Sequence, residues 1–194
     1  MNIFYLHENP IQNAKWHIDK HIVKMPIEYA QLLSTAHRLL DGEMYLGKTA
    51  NGRNIKRWRL DDEREDILYK ASHINHPSAI WVRESIENYY QMFKLYMATL
   101  EEFTNSYGKI HGASKPSVFL MRPPLNIPCV KKTEIPQCMP DYCKVKGNPI
   151  KAYRNYYINE KESFATWKNK EIPQWFKMTS AQSQNDTMIG CFGN

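Results

Sequence analysis

Four polar side chains recur along one stripe of the segment WHIDKHIVKMPIEYAQ: His17, His21, Lys24 and Glu28. Their spacings from His17, of four, seven and eleven residues, put them within roughly 40° of one another on a helix. Two imidazoles, an ammonium and a carboxylate on one stripe make a candidate proton-transfer site. The His-x3-His pair also suits a metal, with Glu28 as third ligand or as base. A plainer reading competes: Lys20, Lys24 and Glu28 at i, i+4 and i+8 also form a solvated salt-bridge ladder. Spacing alone leaves these open.

Other groups carry chemistry elsewhere. Residues 53–59, RNIKRWR, pack Arg53, Lys56, Arg57 and Arg59 around a Trp, and DDERED follows at once. The net charge of +6 permits a polyanionic partner, and this cluster is the natural place for phosphates. His73 and His76 precede Pro77-Ser78, where they either reach an anion at a helix N-terminus or cap that helix. Trp175 and Phe176, beside Lys177, either stack bases or belong to the core. Cys129, Cys138 and Cys143 lie close in sequence, but their spacing fits no standard zinc knuckle. With Cys191 they are expected to be reduced thiols in a cytoplasmic protein. No metal and no cofactor is expected.

These residues need elements to hold them. The chain has 194 residues, 42% of them hydrophobic, which suits one domain with a substantial core. No apolar run reaches ~18 residues, so no membrane span is expected, and MNIFYLHENP has no basic n-region or cleavage site of a secretory signal. Apolar residues at intervals of three and four predict a helix over 11–40, kinked near Lys24–Met25 by Pro26. Residues 43–60 read as a loop carrying the basic cluster, and 61–72 as a short polar helix. A long central helix is predicted over 78–107, ending at Gly108. Residues 109–150 form a Pro-rich irregular insert: seven of the eleven prolines fall in 112–150. A last helix is predicted over 149–168. NIFYL is a short strand or an extended arm. The expected fold is mainly α and compact, a single helical domain over 1–177 with few or no strands, followed by a polar tail over 178–194.

Three motifs, in order, carry a resemblance: His21-x6-Glu28-Tyr29; His76-Pro77-Ser78-Ala79 opening a long helix with Asn88-Tyr89 and ending at Tyr107-Gly108; and Pro173-Gln174-Trp175-Phe176-Lys177. The chain resembles the phage pyrimidine-dimer DNA glycosylases of the endonuclease V type over residues 1–40, 74–108 and 165–177. It also looks like uncharacterised phage proteins of this length. The resemblance implies base excision on duplex DNA. An amine attacks C1′ of a damaged nucleotide and forms a Schiff base, and Glu28, with His21 beside it, assists ring opening and strand cleavage. The family uses the α-amine of a Thr exposed by removal of Met1. Here residue 2 is Asn, so the amine falls to Met1, to Lys20 or Lys24, or lyase chemistry is lost. The expectation is a monomeric DNA glycosylase, with or without AP-lyase activity. Its catalytic set is Glu28, His21, His17, Lys24 and Met1. Its DNA contacts are Arg53, Lys56, Arg57, Arg59, Lys20, His73, His76, Trp175, Phe176 and Lys177. Two alternatives stand beside it. One is another nucleic-acid or nucleotide base-modifying enzyme using the His17/His21/Glu28 face. The other is a non-enzymatic DNA-binding or host-defence-blocking phage protein.

Overall fold

Asn9 accepts hydrogen bonds from the Ile11 and Gln12 amides and so caps α1 (Pro10–Trp16), with Pro10 at the first helical position where its missing N–H costs nothing. The computed structural model describes residues 1–177. It is mainly α-helical, as the periodicity predicts. The first helical stretch is divided at a different place from the one predicted. It breaks at His17–Ile18, and α2 (Asp19–Asp41) then runs unbroken through Pro26. Both residues at the break have extended backbone. The His17 ring supplies the cause: its Nδ1 donates to the Asn13 carbonyl at 2.8 Å, occupying the acceptor that the His17 amide would use in a continued helix. Pro26 removes only one N–H, and its ring is buried in the core.

The buried stripe of α2 is Ile22, Met25, Tyr29, Leu32, Leu33 and Ala36, spaced by three and four as a single core-facing side requires. It packs against α4 (Pro77–Glu84) and α5 (Ile86–Tyr107), while α1 lies against α5. The predicted long helix is therefore two helices. Ser85 separates them with extended backbone, capping the Glu87 amide through its hydroxyl while donating to the Val130 carbonyl at 2.7 Å. A serine that satisfies both a helix start and a neighbouring loop outcompetes one more helical residue. Gly108 ends α5 in the left-handed region, φ 64°.

Residues 43–60 hold the clearest correction. They form an antiparallel hairpin of β1 (Glu43–Lys48) and β2 (Asn54–Arg59), pairing Tyr45 with Arg57 and Met44 with Trp58. Its turn closes through Thr49 N–H to the Arg53 carbonyl, with Gly52 at φ 77°. The ribbon's root is held by Arg38, a guanidinium only 2% exposed. It donates to the carbonyls of Trp58, Tyr69, Glu65 and Leu68 and to the Glu65 carboxylate. Gly42 sits at that root because a Cβ there would meet the Arg38 carbonyl oxygen at 2.6 Å. The polar stretch after the ribbon holds only one turn, α3 (Arg64–Ile67), pinned by Arg64 to Asp41 and Asp62.

The insert is irregular, as predicted, apart from one-turn helices at Gly112–Ser114, Asp141–Cys143 and α6 (Ser117–Leu120). It is tied down by side chains rather than by a sheet. Asn88 donates to Thr133 Oγ1 at 2.8 Å and accepts from the Thr133 amide at 3.0 Å, and the Asp41 carboxylate accepts from the Leu125 and Asn126 amides. The last helix, α7, is shorter than predicted, Pro149–Lys161, with a further turn at Glu162–Phe164. The tail over 178–194, with Cys191, lies outside the described residues.

Candidate functional site

Residues 1–8 form an extended arm without a strand partner, yet Ile3, Phe4, Tyr5 and Leu6 are all buried. A buried backbone without a ladder needs other partners. The Phe4 amide donates to the Tyr29 hydroxyl (3.3 Å), the Leu6 amide to Asn13 Oδ1 (3.1 Å), and Arg154 Nε to the Leu6 carbonyl (3.0 Å). Arg154 is itself stacked on Trp16 and Trp175.

His17 and His21 belong to this clamp. Because His17 Nδ1 donates to a carbonyl, its Nε2 accepts, and the Tyr29 hydroxyl at 3.0 Å is its donor. The chain of bonds runs Phe4 N–H to Tyr29 to His17 to Asn13. His21 stacks on Phe4 at 4.0 Å and bonds the Tyr157 hydroxyl at 2.6 Å. Burial pushes His17 down to about 4 and, with the charges of His17, Lys161 and Lys24, pushes His21 down to about 2. Both rings are neutral at pH 7, as acceptors in an apolar interior must be. They fix the arm that ends at Met1.

A different set is brought together at the arm's tip. His76 caps α4, its Nδ1 accepting from the Ser78 amide at 3.1 Å, so the neutral ring carries its proton on Nε2. Burial, then the Met1 ammonium, then His73 hold His76 below the ordinary imidazole value, and Glu28 pulls it back up. Met1, His73, His76 and Glu28 thus stand in one electrostatic neighbourhood. Glu28 is only 15% exposed and pairs with Lys24 at 3.0 Å, while Lys24 itself is well exposed. The Met1 thioether reaches Ser72, whose backbone meets Thr35, two helical turns beyond Glu28 on α2.

The remaining predicted residues are spread more widely. Arg53, Lys56, Arg57 and Arg59 are on the ribbon, together with exposed Met44, Tyr45 and Leu46. Lys20 lies over Phe164 at 4.6 Å, away from Glu28. Phe176 is buried against Trp167, and Trp175 packs against Trp16 and Tyr157, so these aromatics are core to the arm's far side. Lys177 is exposed. Cys129, Cys138 and Cys143 are free thiols, and among the described residues no three His, Cys, Asp or Glu side chains could share a metal ion. No described helix is long and apolar enough to cross a membrane. His37 and Arg38 escaped the sequence reading. His37 accepts from Arg64 and bonds the Tyr89 hydroxyl at 2.8 Å, and burial first, then Arg64, pushes it down to about 4. No sequence signal separates them from surface helix residues, but Asn51-Gly52 was a signal for the hairpin.

Comparison of the chain with protein-family models, curated proteins and solved structures finds no match.

Proposed function

We propose that the protein is a DNA glycosylase with lyase chemistry, acting on a damaged or modified base, with Met1 and Glu28 as its reacting groups. The support for this reading is that the Met1 amine, His73 and Glu28 all act electrostatically on His76 at the start of α4. The basic ribbon rises from the far end of the same helix. From Glu28 to Asp41 is about 20 Å of helix, or about six base-pair steps at ~3.4 Å each. One duplex would contact both the cluster and the ribbon, and a two-stranded ribbon fits the major groove. The ribbon's exposed Met44 and Leu46 suit apolar contact with base edges or thymine methyls.

In this reading the Met1 amine forms a bond to C1′ as the bond from C1′ to the base breaks, and the base leaves with the electron pair. Loss of the amine proton and opening of the sugar ring give the Schiff base. Glu28 then accepts the C2′ proton, and the 3′ phosphate leaves with the C3′–O electrons. Lys24 is held in an ion pair with Glu28 at 3.0 Å, which leaves the Met1 amine as the nucleophile of this reading. His76, with its donor Nε2, is suited to a phosphate beside the helix start.

Borohydride added to the protein on duplex DNA with an abasic site tests this. The expected result is a covalent adduct mapping by mass spectrometry to the Met1 peptide, and loss of strand cleavage but not of binding in Glu28→Gln. Absence of an adduct, or cleavage unchanged in Glu28→Gln, refutes it.

A further inference from the structure

Between the arm, α1, α5 and the insert lies a cleft of about 750 Å³, apart from the Met1–Glu28 cluster and sharing no residue with it. Trp81, Tyr5 and Tyr90 supply aromatic walls, with Met92 and Leu95 behind them. Two polar atoms beneath its surface have no hydrogen-bond partner: Asn13 Nδ2 and Gln91 Oε1. Asn13 is 1% exposed. Its orientation is not arbitrary, because the Leu6 amide requires Oδ1 as acceptor, and that leaves the NH2 group unmatched. Gln91 lies against the Tyr5 hydroxyl, which can donate or accept, so its amide can turn either atom to the cleft, and in the present orientation its carbonyl oxygen has no partner. A buried polar group without a partner costs about 1–3 kcal/mol, so a side chain kept in that state points to a ligand that completes it.

Asn13 supplies a fixed donor, and Gln91 supplies an amide able to accept. A ligand that satisfies both presents an acceptor next to an N–H donor on a flat ring that fits between aromatic walls. The charge at the cleft decides further. Glu8 and Glu87 stand against Lys94 and Lys132, so the lining is balanced, unlike the cationic ribbon. It offers no excess charge to a phosphate, and its carboxylates favour an exocyclic amino group. We infer that this cleft binds a free, uncharged amino-bearing nucleobase or its nucleoside through Asn13 and Gln91.

Calorimetric titration of the full chain with adenosine and cytidine tests the assignment. Saturable binding is expected, with N6,N6-dimethyladenosine, which lacks the amino N–H, weaker by about tenfold or more. Adenosine monophosphate should bind no better than adenosine. Asn13→Asp keeps the acceptor for the Leu6 amide but removes the donor, and should weaken adenosine by about tenfold or more. Gln91→Leu, which disturbs no backbone contact, should do the same and serves if Asn13→Asp fails to fold. No binding at millimolar nucleoside, tighter binding of the monophosphate, or affinity unchanged in Gln91→Leu overturns it. Gln91→Leu touches neither Met1, Glu28 nor the hydrogen bonds that clamp the arm's backbone, so borohydride trapping should be unaffected in that variant, and the two proposals fail separately.

Discussion

Acidification should destabilise this protein well above the range where its carboxylates titrate. His17, His21 and His37 are held at about 4, about 2 and about 4, against an ordinary value of 6.5. A base whose folded value lies below its unfolded one contributes stability that is complete above pH 6.5 and is lost as pH falls towards the folded value. At pH 5.5 each ring binds nearly a full proton in the unfolded chain and almost none in the fold. Together the three should remove about 4 kcal/mol between pH 7 and pH 5.5, a large share of the stability of an ordinary domain. Asp41, Asp62 and Glu65 have lowered values and remain ionised in that interval, so they do not contribute. Urea denaturation at half-unit steps of pH measures the slope. His37→Gln, which keeps one acceptor and one donor, should flatten it by about one proton's worth, ~1.2 kcal/mol over the same interval. A stability constant from pH 7 to pH 5.5, or a slope unchanged in His37→Gln, would refute the reasoning that these rings are buried and neutral.

Three further outcomes are expected. Tyr29→Phe strands the Phe4 amide and His17 Nε2, and should cost about 1–3 kcal/mol while speeding hydrogen exchange at Phe4. Arg38→Met takes the guanidinium from the Glu65 carboxylate and leaves four carbonyls without their donor, and should cost about 3–5 kcal/mol by denaturation, with the ribbon losing its order first in circular dichroism. Replacing Arg53, Lys56, Arg57 and Arg59 with Ala should leave thermal stability nearly unchanged, because all four are on a solvated ribbon. It should lower the slope of log affinity for duplex DNA against log salt by roughly 3 to 4, and an unchanged slope would remove the ribbon from the interface.

The buried stripe of α2 and the ribbon that follows it differ in how far local sequence specifies them. The stripe of Ile22, Met25, Tyr29, Leu32 and Leu33 was legible because one side of a helix must meet the core, and that requirement is written as spacing. The ribbon was legible only at its Asn51-Gly52 turn: both of its faces are solvated, so its strands carry no apolar alternation. The split at Ser85 depended on the Val130 carbonyl, 45 residues away, which no local pattern supplies, and the split at His17 on its ring taking the Asn13 carbonyl from its own amide.

The sequence by itself determined the helical fold, the irregular insert and the membership of Glu28 and Lys24 on one polar stripe, because helix periodicity is local. Tertiary structure alone decided that His17 and His21 turn inward to clamp the arm, and that the Met1 amine, His73 and Glu28 come within electrostatic reach of His76. That meeting depends on contacts between residues tens of positions apart, through Tyr29, Tyr157 and Arg154. Spacing along one helix specifies which residues share a face. It does not specify what another segment of the chain brings against that face.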